Sequence, residues 1–463
     1  MDGSNNNQNP SSHVAAGVLK TDLKTYWMEW VFLVIILLAG PLFVFPRAQF
    51  LWLTAIVPVL FVFTAVLKKR ILPRTPLDWA LLVLLLEVLA TCLLVPDLMF
   101  SLAKITGVLY GILLFYALVA VVTRPAVWKW LAAALLAGSG AFTLFCLAGL
   151  KWDYDSLIFS LARFFGIPLD KTVFTRKVIP ALESIFPRLK FTIPGADEGF
   201  QGNVVGGFII LILPLCLALI LPYLLRKRMG ERIFHRRRPL WLLLPVLFVL
   251  SVVLFLTLSF SCWVALAAGI WLYFFSRRTK IWSVALLVVL LFFVVVINPS
   301  GFEGFSKAVS QDIDPEKVEY RLKWWGIAAE TIYKHPTFGI GMNRIRLHPD
   351  VGYERSHVHN HFLQTAAEMG LPALLAYLFL VGGALGMCLR VARSPVESWM
   401  KPAALGLGCG QLAHFLYGFV DSIPLGSKVG IFFWLSLAAV TSLYLINRKP
   451  LDCFCKADHL RGF

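Results

Sequence analysis

Residues 203–225, NVVGGFIILILPLCLALILPYLL, form an uncharged apolar block, and the residues that follow, RKRMGERIFHRRR (226–238), are rich in arginine and lysine. An apolar run of about twenty residues is long enough for an α-helix to cross the hydrocarbon core of a bilayer. Basic residues directly after such a helix favour the cytoplasmic side. This stretch therefore predicts a transmembrane helix whose C-terminal end lies in the cytoplasm.

Apolar blocks of similar length recur along the chain. The 463 residues are 59% hydrophobic and 15% charged, whereas soluble globular domains carry about 25% charged residues. The composition therefore predicts an all-α integral membrane protein, and the blocks predict about twelve transmembrane helices. These lie near residues 28–46, 50–67, 77–95, 102–122, 127–149, 203–225, 240–258, 261–275, 280–297, 359–389, 402–420 and 429–446.

The lysines and arginines indicate how these helices are oriented. Basic clusters fall in every second loop, at residues 68–74, 123–129, 226–238, 276–280 and 390–393. Because cytoplasmic loops carry such an excess of positive charge, both termini are expected in the cytoplasm. The formal net charge of +17 then reflects topology, and no nucleic-acid partner is expected.

This orientation divides the chain into three parts. Residues 1–25 are polar and low in complexity, which predicts a disordered cytoplasmic tail. Residues 26–450 are expected to form a polytopic membrane domain, and residues 451–463 a cytoplasmic C-terminal tail. Within the membrane domain, two large segments, 151–202 and 298–358, are expected to face outward.

Two absences from the sequence narrow the possible functions. The eight cysteines lie in apolar spans or in the C-terminal tail, so no disulfide framework is expected. The predicted cytoplasmic loops contain no glycine-rich phosphate-binding motif, which counts against an ATP-driven pump. No cofactor is predicted.

The second outward segment contains a stretch with helical periodicity, DPEKVEYRLKWWGIAAETIYKH (314–335). Asp312 and Asp314 are candidate N-caps, and HPTFGIGMN (335–343) supplies the stop. This pattern predicts an amphipathic helix lying on the outer membrane surface. Any chemistry is expected on that outer face.

Three histidines, His357, His359 and His361, alternate with other residues where the tenth apolar span begins. His359 could act as a general base towards a hydroxyl group, because imidazole titrates near neutral pH. A solvated interfacial histidine is the alternative. A zinc site is a further possibility if His357 and His361 share a helix face, but we predict no metal ligand.

Several outward-facing cations are candidate anion ligands. Arg321 lies on the predicted surface helix beside Trp324 and Trp325, and a guanidinium can bind phosphate oxygens through two hydrogen bonds. An ordinary interfacial belt of arginine and tryptophan explains the same residues. Arg344, Arg346 and Arg355 are further outward-facing cations, and Arg188 and Lys190 could add to the same positive field.

Ionisable residues inside the apolar spans are costly and often functional. Glu87 and His414 are two such residues, and Asp421 follows His414 by seven positions, or two helical turns. If the helix continues that far, His414 and Asp421 share one face. They would then form either a structural pair between helices or part of a proton pathway.

Three motifs together resemble the O-antigen ligase and O-antigen polymerase superfamily. HNHFLQTAAEMGLPA (359–373) is similar to its signature of His-Asn followed by a glycine, here His359, Asn360 and Gly370. The segment 320–343 resembles the family's arginine, aromatic residue and hP-x-x-G-x-G run, through Arg321, Trp324, His335, Pro336, Gly339 and Gly341. Asn203 matches the asparagine that opens a middle span.

The resemblance implies a metal-independent membrane glycosyltransferase. Such enzymes move a glycan from a polyprenyl diphosphate to an acceptor hydroxyl on the outer face of the bacterial inner membrane. The acceptor is a glycan, a lipid or a protein, and membrane lipids surround the site. By position, His359 would be the general base and Arg321 the diphosphate clamp. Asn360, Arg344, Lys190, Arg188, Trp324 and Asn203 would bind substrate.

One position departs from the family pattern. The frame LTLSFSCWVALAAG (256–269) keeps Ser259 and Trp263, but Phe260 stands where the family often has a second phosphate-binding arginine. Either Arg188, Lys190 or Arg344 would supply the missing charge, or this protein would bind its donor differently, or it would not be an active ligase. A transporter or flippase for an amphiphilic substrate remains the main alternative, and a non-catalytic assembly partner is a third possibility.

Overall fold

The structure is a computed structural model, and it describes residues 73–148, 201–225, 238–257, 259–275, 315–351 and 357–459, with residues 27, 29–35, 55, 58, 59, 62 and 66. Every regular element in these ranges is a helix. The predicted all-α class is therefore confirmed. The predicted N-terminal tail, residues 151–200 of the first outward segment and residues 298–314 and 352–356 of the second lie outside the described residues.

Ten α-helices and one short 3₁₀-helix, Ile345–Leu347, are labelled here within the described ranges. The α-helices are α1 (Asp78–Leu94), α2 (Leu98–Val121), α3 (Pro125–Ala148), α4 (Gly202–Leu225), α5 (Arg238–Leu256), α6 (Phe260–Phe275), α7 (Pro315–Lys334), α8 (His361–Arg393), α9 (Met400–Tyr417) and α10 (Ile431–His459).

Five of these helices are long and apolar enough to cross a membrane. They contain the stretches Leu98–Val121, Pro125–Leu147, Gly202–Pro222, His361–Arg393 and Ile431–Arg448, and Leu240–Leu256 and Ser261–Trp271 are shorter apolar helices. Nine of the predicted spans coincide with α1–α6 and α8–α10. The spans near 50–67 and 280–297 lie essentially outside the described residues, so twelve spans and their orientation remain predictions.

Helix α9 lies at the centre of the packing and contacts α4, α6 and α8. It runs antiparallel to α4: Gly410 faces the backbone of Leu211, and Gly406 faces Leu215. Small residues let membrane helices approach closely. This contact brings the first turn of α4, which contains Asn203, next to the last turn of α9.

Helix α8 breaks at Gly370, where the backbone has φ 86° and ψ 169°. The segment after α7 binds at this break, since the Ile340 amide donates to the Ala367 carbonyl (2.9 Å) and the Leu371 amide to the Pro336 carbonyl (2.8 Å). The predicted stop after α7, residues 335–343, therefore binds to α8, and this segment is called the strap. It fixes α7 beside the first turns of α8.

Replacing Gly370 by alanine should lower the free energy of unfolding by more than about 2 kcal/mol, because strained backbone alone costs about 1–3 kcal/mol. A Cβ at this position would also collide with the Thr337 carbonyl. Thermal unfolding of the detergent-purified protein measures the effect. Gly382→Ala is the matched control, because the same helix leaves open space at that position. Equal melting temperatures for the two variants would contradict this role of Gly370.

The predicted pairing of His414 with Asp421 is wrong. Helix α9 ends at Tyr417, so the two residues do not share a helix face. His414 instead contacts the Gly207 carbonyl of α4 through Nδ1 (3.4 Å), whereas Asp421 lies in the turn between α9 and α10. The physical reason is a run of turns over residues 418–420.

Candidate active site

The three alternating histidines have different environments. His361 begins α8, whereas His357 and His359 precede the helix in an irregular segment. Asn360 is the N-cap: its Oδ1 accepts hydrogen bonds from the Phe362 and Leu363 amides (3.1 and 3.0 Å). Helix α8 begins only after the Asn360 cap, so helical geometry does not set the orientation of the His359 side chain.

The same residues attach the start of α8 to the turn after α9. Asn360 Nδ2 donates to the Phe419 carbonyl (3.2 Å), and the His361 amide donates to the Gly418 carbonyl (2.8 Å). His359 adopts a left-handed backbone conformation with φ 52°, which is uncommon for a residue with a side chain. Such strain persists only where the surrounding contacts enforce it.

Asp421 is the centre of the site. Its Oδ1 lies 2.8 Å from His357 Nε2 and 3.2 Å from His359 Nδ1, and it also accepts a hydrogen bond from the Ser422 amide (2.8 Å). Its Oδ2 accepts from the Tyr417 hydroxyl (2.9 Å). The Asp421 side chain is 4% exposed, whereas that of His359 is 25% exposed. The carboxylate is therefore enclosed, and His359 reaches the surface of the site.

The charge of Asp421 determines how His359 is protonated. Burial raises the pKa of the Asp421 carboxyl, but hydrogen bonds and charge from His357 and His359 outweigh this and hold the pKa well below its usual range. An ionised carboxylate only accepts hydrogen bonds. Nδ1 of His359 therefore carries a proton, and a neutral ring keeps a lone pair on Nε2.

Two tryptophans of α7 bind the segment that contains His359. The Trp324 ring stacks on the His359 ring, with centroids 5.7 Å apart and planes at 22°. Trp325 Nε1 donates to the Val358 carbonyl (3.0 Å). Trp324 is only 5% exposed. This ring thus helps to fix the orientation of the imidazole.

Arg321 lies one turn before these tryptophans on α7, and residues three and four apart share a helix face. Its side chain is partly buried, and no described residue forms an ion pair or hydrogen bond with it. The guanidinium is therefore available to a ligand close to the segment that contains His359.

Asn203 also lies beside the site, through its backbone. Its carbonyl accepts a hydrogen bond from the Tyr417 hydroxyl (2.8 Å), and that hydroxyl is the one that donates to Asp421. Cys262 Sγ contacts the same carbonyl at 4.0 Å. Phe260, which stands where the resembled family often has an arginine, begins α6. Arg188, Lys190 and Arg355 lie outside the described residues.

Three atoms of the site could also bind a cation. His357 Nε2, His359 Nδ1 and Asp421 Oδ1 lie within 4.8 Å of one another, and zinc accepts this ligand set. Binding would displace the protons on both ring nitrogens, so a cation and the hydrogen-bonded arrangement exclude each other. The zinc pair of His357 and His361 is not assembled, because the His361 ring packs on Tyr377 instead (4.6 Å between centroids).

A family model described as O-antigen ligase covers residues 245–378, which include α7, the strap and His359. Asp421, Tyr417 and Asn203 lie outside this range. No curated protein matches the chain. Residues 245–378 are therefore similar to the O-antigen ligase family, and this match supports the resemblance of the chain to the O-antigen ligase and polymerase superfamily.

Proposed function

We propose that this protein transfers a glycan from a polyprenyl-diphosphate carrier to an acceptor hydroxyl. The reaction would occur at the outer face of the bacterial inner membrane, with both termini in the cytoplasm. The observation that carries the proposal is the pairing of His359 with the buried Asp421 carboxylate next to an O-antigen ligase domain. This pairing prepares a base, and the family supplies the type of reaction.

In this proposal, Nε2 of His359 is the base. Asp421 holds the Nδ1 proton, so Nε2 can accept a proton from the acceptor hydroxyl. The hydroxyl oxygen then bonds to the anomeric carbon of the donor glycan. The bond from that carbon to the diphosphate breaks, and the diphosphate leaves with the electron pair. No metal or nucleotide is needed in this scheme, because the sugar–diphosphate bond supplies the free energy.

Arg321 would stabilise the departing diphosphate. Charge that develops on a leaving group is stabilised most by donors already in place, and Arg321 has no competing carboxylate among the described residues. Because Phe260 cannot bind phosphate, a second cation would come from Arg188 or Lys190 in the first outward segment. Arg344 lines a separate cavity.

Arg321→Gln should reduce turnover by about 10²-fold, the loss typical when one such donor is removed. The assay reconstitutes the protein in liposomes with a polyprenyl-diphosphate glycan and follows product size with and without acceptors. Lys323→Gln is the matched control on the same helix, because Lys323 is exposed and already paired with Asp350 (2.7 Å). Equal turnover in both variants would contradict the clamp.

The same assay distinguishes the two activities of the superfamily. A ladder of products indicates a polymerase, whereas a single transfer per acceptor indicates a ligase. The transporter alternative relied in part on a His414–Asp421 pair, and the structure separates these residues. Transport that depends on Glu87 but not on His359 would support that alternative.

A further inference from the structure

A second cavity lies apart from the His359 site. Its volume is about 800 Å³, and it lies between the α1–α2 turn on one side and the C-terminal end of α7 and the strap on the other. Neither His357, His359 nor Asp421 lines it. The lining residues are Thr91, Leu94–Pro96, Thr331, Lys334–Gly341, Arg344, Ile345 and Leu347–Pro349.

The polar lining of this cavity is cationic. Arg344, Lys334, His335 and His348 are among the lining residues, and none of the lining residues is an aspartate or glutamate. Two carboxylates outside the lining partly offset these groups: Glu330 pairs with Lys334 (2.6 Å), and Asp350 lies 3.8 Å from His348 Nδ1. Arg344 Nη1 is buried and has no hydrogen-bond partner. A buried guanidinium nitrogen without a partner is costly. Arg344 lines the cavity, so a small shift of its side chain towards a bound anion would offset that cost.

The strap holds Arg344 in place. The Arg344 amide donates to the Gly341 carbonyl (3.3 Å), and the stem of the side chain passes over Gly341, where an added Cβ would lie 2.9 Å from Arg344 Cδ. Gly341 itself has φ 100°, a conformation that glycine tolerates at low cost. The cation is therefore positioned by the fold and is not a freely mobile surface residue.

The cavity and the His359 site lie along one face of α7. Trp324, Ala328, Thr331 and His335 follow helical spacing; Trp324 stacks on His359, and Thr331 and His335 line the cavity. Seven residues separate Trp324 from Thr331, which corresponds to about 10 Å along the axis. This is too far for the diphosphate directly attached to the reacting carbon, but it suits a substituent a few sugars away from the reacting hydroxyl.

We propose that this cavity binds a phosphate substituent of the acceptor glycan. The lining includes one arginine, one lysine and two histidines, and arginine binds phosphate through parallel hydrogen bonds. Assigning the phosphate to the acceptor rests on the proposed transferase function. The binding of phosphate itself does not.

The test measures binding to the full chain in phosphatidylcholine nanodiscs, with glucose 6-phosphate as the probe and glucose as its neutral counterpart. The protein should bind glucose 6-phosphate, and Arg344→Gln should weaken binding about tenfold, as expected for the loss of a charge-assisted contact. Arg346→Gln is the matched control. Arg346 lies two residues away but faces the Phe100 ring (5.8 Å) and does not line the cavity.

Three outcomes would overturn the proposal: equal binding by wild type and Arg344→Gln, equal binding of glucose, or complete loss of probe binding in phosphatidylglycerol nanodiscs. The last would identify a lipid headgroup as the ligand. His359→Ala should bind the probe normally. If that variant also transferred glycan normally, the general-base role of His359 would fail while the phosphate site remained. If the wild type bound the probe but transferred no glycan in liposomes, the transferase function would fail while the phosphate site remained.

Discussion

His359→Ala should abolish glycan transfer, with turnover reduced by about 10²- to 10⁴-fold, the usual contribution of a positioned general base. The variant loses the Nε2 atom that accepts the acceptor proton, and no other neutral imidazole replaces it. His361 is inside the first turn of α8 and packs on Tyr377, whereas His357 contacts Asp421 through its own Nε2. The measurement is product formation in liposomes at equal amounts of membrane-inserted protein.

His359→Gln separates catalysis from folding in this experiment. A glutamine amide can still donate to Asp421, so the turn should keep its structure, but it cannot accept and release the proton. We expect loss of transfer with a melting temperature close to that of the wild type. Normal transfer by His359→Ala would rule out the general base. Transfer by the wild type that stops in EDTA would instead favour a cation bound by His357, His359 and Asp421.

The helices could be predicted from sequence because their signals are local. The length of an apolar block such as 203–225 predicts the length of the helix directly, and the observed helix, Gly202–Leu225, differs from it by one residue. The predicted helix on the second outward segment likewise corresponds to Pro315–Lys334. The number of spans and their orientation in the membrane depend on the whole chain, which includes segments outside the described residues.

The contact between His359 and Asp421 could not be predicted in the same way. The two residues are 62 positions apart, and their meeting depends on how α8, α9 and the following turn pack. One local signal was available: the sequence GFVDSIPLGS (418–427) contains Gly418, Pro424 and Gly426, which together indicate a turn. Such a turn predicts that α9 ends before Asp421, and it therefore argues against a pairing of Asp421 with His414.

In the strap, the motif could be recognised from the sequence, but the physical reason for its glycines could not. Gly339 and Gly341 match a family motif, but the sequence does not state why glycine is needed there. In the structure both residues have positive φ, and an added Cβ at Gly339 would meet the backbone of Ala367 and Glu368 at about 2.6 Å. The motif is therefore a docking surface for α8, and its effect on the site is to position α7 and Arg344.

Asp421→Asn should lower turnover by about 10²- to 10⁴-fold with little change in the donor KM. The change keeps the shape of the side chain but replaces an acceptor that receives three hydrogen bonds at Oδ1. An amide nitrogen facing His359 would donate to Nδ1 and shift the proton to Nε2, which then cannot act as a base. Loss of the correct tautomer has an effect of this size in serine proteases.

Two further variants decide whether Asp421 positions His359 or only stabilises the turn. Asp421→Glu retains the charge and should recover part of the turnover, whereas a purely structural role predicts no such recovery. Ser422→Ala is the matched control in the same turn, since its hydroxyl contacts His361 and not His359. If Asp421→Asn and Ser422→Ala lost turnover equally, and in proportion to their melting temperatures, Asp421 would be a structural residue and His359 would need another partner.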